Sequence, residues 1–139
     1  MSNLIFFIGP GGAGKSTICK QLEKDHANLK REKLDNYEKD NDPNLGICRI
    51  EELEKSENTS VFLVDVGAFF QAHIPYNFWL KRQSKLITIY NKPKFCYEVY
   101  KNRETTKHRD EYNVHLNKEF NPERKKLYEL SSFKIITNK

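Results

Sequence analysis

Long apolar runs are scarce in this chain of 139 residues. The longest uncharged stretch, Val66 to Leu80, is broken by Gly67, Gln71, His73, Pro75 and Asn77. No segment offers the roughly 20 consecutive apolar residues that a membrane-spanning helix needs. Cysteine is sparse as well: Cys19, Cys48 and Cys96 are odd in number, form no C-x-x-C pair and have no neighbouring histidine. That excludes a disulfide framework and a cysteine–histidine metal set, and it leaves reduced thiols. His26, His73, His108 and His115 show no ligand spacing and no partner set for nucleophilic catalysis, so they read as surface or satisfied histidines. The lone tryptophan, Trp79, and the nine phenylalanines fall mainly in strand or helix patterns and read as core rather than as base-stacking platforms. No low-complexity linker or internal repeat interrupts the chain, and the N-terminal apolar run has no basic flank of the kind that opens a signal peptide. Length and composition predict one domain over residues 1–139, cytoplasmic and without a membrane anchor, and they set no oligomeric state. Acidic residues are the minority, 19 against 24 Lys plus Arg, for a net charge of +5. The excess suits phosphorylated or carboxylated ligands, although a solvated lysine-rich surface accounts for most of it.

What the chain does have is a phosphate-binding loop in its expected setting. Leu4-Ile5-Phe6-Phe7-Ile8 runs straight into Gly9-Pro10-Gly11-Gly12-Ala13-Gly14-Lys15-Ser16, a complete G-x-x-x-x-G-K-[ST] pattern, and a helical pattern with Ile18 and Leu22 four apart follows it. Glycines allow successive backbone N–H groups to turn inward on phosphates, the lysine reaches the β/γ oxygens, and the serine hydroxyl can hold Mg²⁺. The predicted ligands are ATP and Mg²⁺. Gly9, Gly11, Gly12, Ala13, Gly14, Lys15, Ser16 and Thr17 form the nucleotide-binding set, at the positive end of the following helix.

Further strand-like runs occur at Val61–Val66, Leu86–Tyr90 and Phe133–Thr137, with a weak one at Lys33–Asp35. Helical patterns cover Lys15–Ala27, Leu45–Ser56, part of Phe69–Arg82, Lys94–Arg103 and Glu123–Leu130, the last opened by Asn121 as cap and Pro122 in the first turn. Strand and helix alternate throughout. This predicts a three-layer α/β fold of the P-loop NTPase type, a five-stranded parallel sheet with helices on both faces and ligands at the carboxyl ends of its strands. The polar, charge-dense segment from about 104 to 120 reads as a lid.

Phosphoryl transfer needs in-line placement and charge neutralisation more than covalent help, so carboxylates and arginines are the residues to seek. Asp65 ends the apolar run Val61–Val64 and is the candidate Mg²⁺ partner of Ser16, against the alternative that it caps the turn before Gly67. Asp35 follows the weak strand and is a candidate for metal contact or for orienting an acceptor hydroxyl, with a solvated charge run as the alternative. Arg109, in the lid segment, is the candidate for stabilising the transferring phosphoryl group, with Lys101, Arg103 and Lys107 as competitors. Arg49 and Arg124 are the arginines that sequence order allows near an acceptor, where a guanidinium fork suits a carboxylate or phosphate.

These motifs together resemble those of the shikimate kinases. Gly9 to Lys20 is similar to that family's opening, Gly46-Ile47-Cys48-Arg49-Ile50-Glu51-Glu52-Leu53-Glu54 resembles its Phe-Arg-x-x-Glu helix, and Glu123-Arg124-Lys125-Lys126-Leu127-Tyr128-Glu129 resembles its Arg-x-x-Leu-Tyr helix. The resemblance implies that Arg49 and Arg124 hold an acceptor carboxylate, that Arg109 is the ATP-side arginine of the lid, and that Gly67 lies where the acceptor approaches backbone. Several features depart from the family pattern, among them Asp110 after Arg109 and a short stretch between Tyr37 and Arg49. Asp35-Asn36-Tyr37 stands in place of Asp-x-Asp, Asp65-Val66-Gly67-Ala68 in place of the Gly-Gly-Gly segment, and these 139 residues hold no counterpart of the family's C-terminal helix. The expected activity is transfer of the γ-phosphoryl of ATP to a small hydroxylated acceptor, with Lys15, Asp35 and Arg109 as catalytic residues. Two alternatives stay open: a nucleoside, nucleotide or polynucleotide-end kinase, for which the basic segment from Lys92 to Arg109 is the signal although nucleic acid is not favoured, and an ATP-binding regulatory module with impaired catalysis.

Overall fold

The computed structural model describes residues 3–57, 59–103 and 110–137. Its centre is β1 (Asn3–Ile8), flanked by β3 (Val61–Asp65) and β4 (Leu86–Tyr90), with β2 (Leu29–Lys33) and β5 (Phe133–Ile136) at the edges. All pairings are parallel and the strand order is β2-β3-β1-β4-β5. The central strands are the apolar runs of the sequence, as expected of strands covered on both faces. Side chains of β1 alternate between two cores. Leu4, Phe6 and Ile8 enter one with Val64, Val66, Phe70, Trp79 and Leu127, while Phe7 enters the other with Leu63, Cys19, Ile89 and Cys96.

The helices are α1 (Lys15–Asp25), α2 (Asn44–Lys55), α3 (Ala68–His73), α4 (Tyr76–Leu80), α5 (Pro93–Lys101), α6 (Tyr112–Glu119) and α7 (Pro122–Leu130). The predicted cap of α7 is present: the Asn121 side chain accepts from the backbone N–H of Arg124 at 2.8 Å. The expected helix within Phe69–Arg82 divides at Ile74-Pro75, because proline cannot continue the hydrogen-bond ladder of α3. Two other expectations are corrected. The second strand lies at Leu29–Lys33, four residues before the expected Lys33–Asp35 at its start, and Leu34–Tyr37 forms a 3₁₀ turn that carries Asp35. Part of the expected lid, Tyr112–Glu119, is helix α6, which buries His115 and Glu119; residues 104–109 lie outside the described residues.

Close packing of α2 on α3 depends on Gly46. A Cβ added there would stand 2.5 Å from Cε1 of Phe70, a ring that is fully buried. Gly→Ala inside a helix ordinarily gains about 1 kcal/mol, but overpacking a rigid core costs about 1–3 kcal/mol. Gly46→Ala is therefore expected to lower the urea midpoint with an unchanged m value, and a raised midpoint would show that Phe70 moves aside freely.

Candidate functional site

The carboxyl ends of β1 and β3 meet the N-terminus of α1, and the loop between β1 and α1 is held in shape by backbone contacts. Gly12 has φ 92°, and a Cβ there would meet the Cys96 carbonyl oxygen at 2.2 Å, so both conformation and space require glycine. At Gly9 a Cβ would stand 2.0 Å from the Ile89 oxygen. The α1 N-terminus has no side-chain cap and no acid in its first turn. Its free N–H groups and positive dipole end are thus left to an anion. Ala13 is buried in this loop, and Thr17 is exposed in the first turn of α1.

Asp65, at the end of β3, is only 3% exposed and accepts from three side chains. Lys15 Nζ donates to Oδ1 at 2.5 Å, and Ser16 Oγ donates to Oδ2 at 3.1 Å. Arg31 reaches the same Oδ2 through Nε at 3.2 Å and Nη2 at 2.7 Å. Register explains Arg31: it pairs with Leu63, two residues before Asp65, and so shares its face of the sheet. Burial works against ionising Asp65, but the Lys15 ammonium and the Arg31 guanidinium prevail and hold its carboxyl below the ordinary range.

Asp35 and Gly67 come together. The Gly67 backbone is extended, at φ −74°, so its conformation suits any residue. Room is what it provides, since a Cβ would lie 1.8 Å from Asp35 Oδ1. Although Asp35 is exposed as a residue, its carboxyl end stands in the cleft against Gly67. Burial of that carboxyl raises its pKa, Lys15 opposes the rise and Asp65 adds to it.

The two arginines expected at an acceptor, Arg49 and Arg124, are engaged by carboxylates of the chain itself. Arg49 donates to Glu32 at 2.8 and 3.2 Å and to Glu52 at 3.3 Å, and its guanidinium lies 5.3 Å from the Tyr37 ring centroid. Arg124 is buried and donates to Glu119 Oε1 at 2.5 Å and to the Lys118 carbonyl at 3.3 Å. Arg109 lies outside the described residues.

Sequence reasoning missed four residues that shape the site. Arg31 sits in the charged string Leu29-Lys30-Arg31-Glu32-Lys33, which has no apolar alternation to mark a strand. Gln71 is buried and clamps the loop, accepting from Gly9 N–H at 3.2 Å and donating to the carbonyls of Gly9 at 3.0 Å and Val66 at 2.8 Å. Glu119 Oε2 stands 3.2 Å from where a Gly11 Cβ would be. Thr137 Oγ1 donates to the Ala13 carbonyl at 2.7 Å. Only the short spacing of Glu119 to Arg124 offered any signal in the sequence.

Ser16 and Asp65 give oxygen donors suited to a hard cation, although among the described residues no cluster of three or more His, Cys, Asp or Glu could hold a metal by itself. That fits Mg²⁺, which usually takes one or two protein oxygens and completes its shell with phosphates and water.

Asp65 and Asp35 should affect acid stability in opposite senses. With a depressed folded pKa, Asp65 contributes stability above the ordinary carboxylate value that is lost as pH falls through the folded pKa; a raised folded pKa makes Asp35 contribute at acid pH and lose that contribution as pH rises. In urea unfolding from about pH 3 to about pH 7, Asp65→Asn should lose about 1–3 kcal/mol at neutral pH and flatten the acid limb, whereas Asp35→Asn should steepen it. Parallel curves for both variants and the parent would refute the assignment.

No protein-family model and no curated protein matches the chain. Solved structures do. Shikimate kinase from Bacteroides thetaiotaomicron superposes with a TM-score of 0.69 at 17% identity, over 95% of this chain and 85% of that one. Shikimate kinase from Acinetobacter baumannii in complex with shikimate gives 0.67 at 20% identity, over 100% and 86%. A Thermus thermophilus protein gives 0.67 at 15%, over 99% and 90%. With its five-stranded parallel sheet and its phosphate loop between β1 and α1, the chain has the fold of a shikimate kinase-like P-loop kinase.

Proposed function

We propose that the chain is an ATP- and Mg²⁺-dependent phosphotransferase that moves the γ-phosphoryl of ATP to a small hydroxylated acceptor. The observation that carries this reading is the open, uncapped α1 N-terminus behind a complete phosphate loop, with Lys15, Ser16 and Asp65 converging beside it. The A. baumannii neighbour, in complex with shikimate, supports a small-molecule acceptor. No helix among the described residues is long and apolar enough to cross a membrane. Burial pushes the thiols of Cys19 and Cys96 up to about 12 and about 11, which leaves both inert as nucleophiles.

In this mechanism Lys15 leaves Asp65 for the β/γ oxygens, so one ion pair is exchanged for another of opposite ownership. Arg31 stays on Asp65 and keeps it ionised. Ser16 and Asp65 would hold Mg²⁺, which supplies charge neutralisation on the phosphates when bound. Asp35 orients the acceptor hydroxyl and takes its proton, a role that its raised pKa favours. Arg109 is assigned to the charge that develops on the transferred group, and Gly67, Arg49 and Arg124 to the acceptor side.

A second reading, an ATP-binding module without turnover, is favoured by one observation: Arg49 and Arg124 already hold Glu32 and Glu119. ADP release from Mg-ATP, with and without shikimate and other hydroxylated acids, separates the two. Acceptor-dependent turnover should fall about 10²–10³-fold in Lys15→Ala, and in Asp35→Asn kcat should fall about 10²-fold with ATP affinity kept. Tight ATP binding without acceptor-stimulated release would establish the second reading instead.

A further inference from the structure

Glu32 has no part in the reaction above, yet it holds Arg49 with both carboxylate oxygens, accepting from Nε at 2.8 Å and from Nη2 at 3.2 Å. The sheet puts it there. Glu32 pairs with Val64, one residue on from Arg31, so it leaves the face of the sheet opposite to Arg31 and Asp65 and meets α2. The 3₁₀ turn Leu34–Tyr37 that follows β2 brings the Tyr37 ring to the same guanidinium and carries Asp35 to Gly67. Glu32, Tyr37 and Arg49 thus flank the turn that presents the acceptor-side carboxylate.

The fork of a guanidinium is the edge that recognises a carboxylate in two-pronged fashion, and on Arg49 that edge is filled. Glu52 takes Nη1 at 3.3 Å. Arg49 and Glu32 side chains are 28% and 13% exposed, so the pair is partly withdrawn from water. Arg124 is no substitute, because it is enclosed and its Nη atoms donate to Glu119 and to the Lys118 carbonyl. Charge points the same way: Glu32 and Glu52 outnumber Arg49, Glu119 offsets Arg124, and Asp35 adds a further acid. A carboxylate arriving here meets like charge, and to reach Arg49 it must displace Glu32 and leave that acid without its cation. An uncharged hydroxylated compound meets neither obstacle. Its hydroxyls can donate to the carboxylates already present, and Tyr37, whose phenol is held above its ordinary range by burial and by Glu32, adds a neutral hydroxyl in the place where the family pattern has a second aspartate.

We propose that the acceptor of this site is an uncharged polyhydroxyl compound, without carboxylate or phosphate, and that Glu32 sets the preference by occupying Arg49. This rests on the phosphotransferase reading above, but the preference acts in binding and is read without turnover. It also differs from loss of function, since Lys15, Asp65 and Asp35 keep their places whatever the charge of the acceptor.

Shikimate and glucuronate, each beside its methyl ester, present the same hydroxyls with and without an anion. Binding of all four is measured by calorimetry on the whole chain saturated with Mg²⁺ and a non-hydrolysable ATP analogue, and ADP release from Mg-ATP is measured in parallel. At least one ester is expected to bind at least about tenfold more tightly than its acid, the weight of one charged hydrogen bond. Glu32→Gln keeps the size of the side chain and removes its charge, and should move the acid-to-ester ratio about tenfold toward the acid. A merely structural role for Glu32 would weaken both members of a pair alike and leave the ratio where it was. Should that variant fail to fold, Glu52→Gln, at an exposed side chain, should move the ratio the same way by about two- to threefold. The proposal is overturned if neither ester binds, if the acids bind as well as their esters, or if the folded variant leaves the ratio unchanged. Ester binding at the expected ratio without ADP release would remove the kinase reading and leave the preference standing, whereas turnover that favours the acids would do the reverse.

Discussion

One buried carboxylate organises the nucleotide end of this molecule. Asp65 gathers Lys15 and Ser16 from α1 and Arg31 from β2, so the loop-to-helix junction, the central sheet and the edge strand share a single counter-ion. Removing a carboxylate from water is costly, and several close donors are needed to offset that cost. Here two cations and a hydroxyl do so, beside an uncapped helix end.

The same logic explains what the sequence revealed and what it did not. Local patterns were legible: the apolar strand before the glycine loop, the alternation of strands with helices, and the cap at Asn121 all follow from neighbours along the chain. Edge strand β2 was not, because Leu29–Lys33 faces water on much of its surface and carries none of the apolar alternation that marks a strand. Asp65 and Asp35 stood out in the sequence because one ends an apolar run and the other ends a weak strand-like one, although Asp35 reaches its place through a 3₁₀ turn rather than through the strand itself. Arg31 and Gln71 act across 34 and 62 residues of chain, on Asp65 and Gly9, and no spacing rule reports such contacts.

Arginine partners were the least legible element. A guanidinium placed near an acceptor by sequence order can be spent internally, and the two arginines that resemble acceptor anchors are both paired, one with β2 and one with α6. These pairs differ in consequence. Arg49 keeps a partly exposed side chain and can exchange partners at modest cost. Arg124 is enclosed, and its link to Glu119 fixes the junction of α6 and α7 against the phosphate loop.

The bond from Thr137 Oγ1 to the Ala13 carbonyl spans 124 positions of the chain, and the side-chain amide of Asn91, just after β4, secures Thr137. A contact of such sequence separation forms late, since loop closure must be completed before it contributes. During synthesis the N-terminal loop emerges among the first residues, yet this one bond waits for residue 137 to leave the ribosome. The anchor of the loop at Ala13 is thus a late bond, made by the finished sheet rather than by the emerging chain.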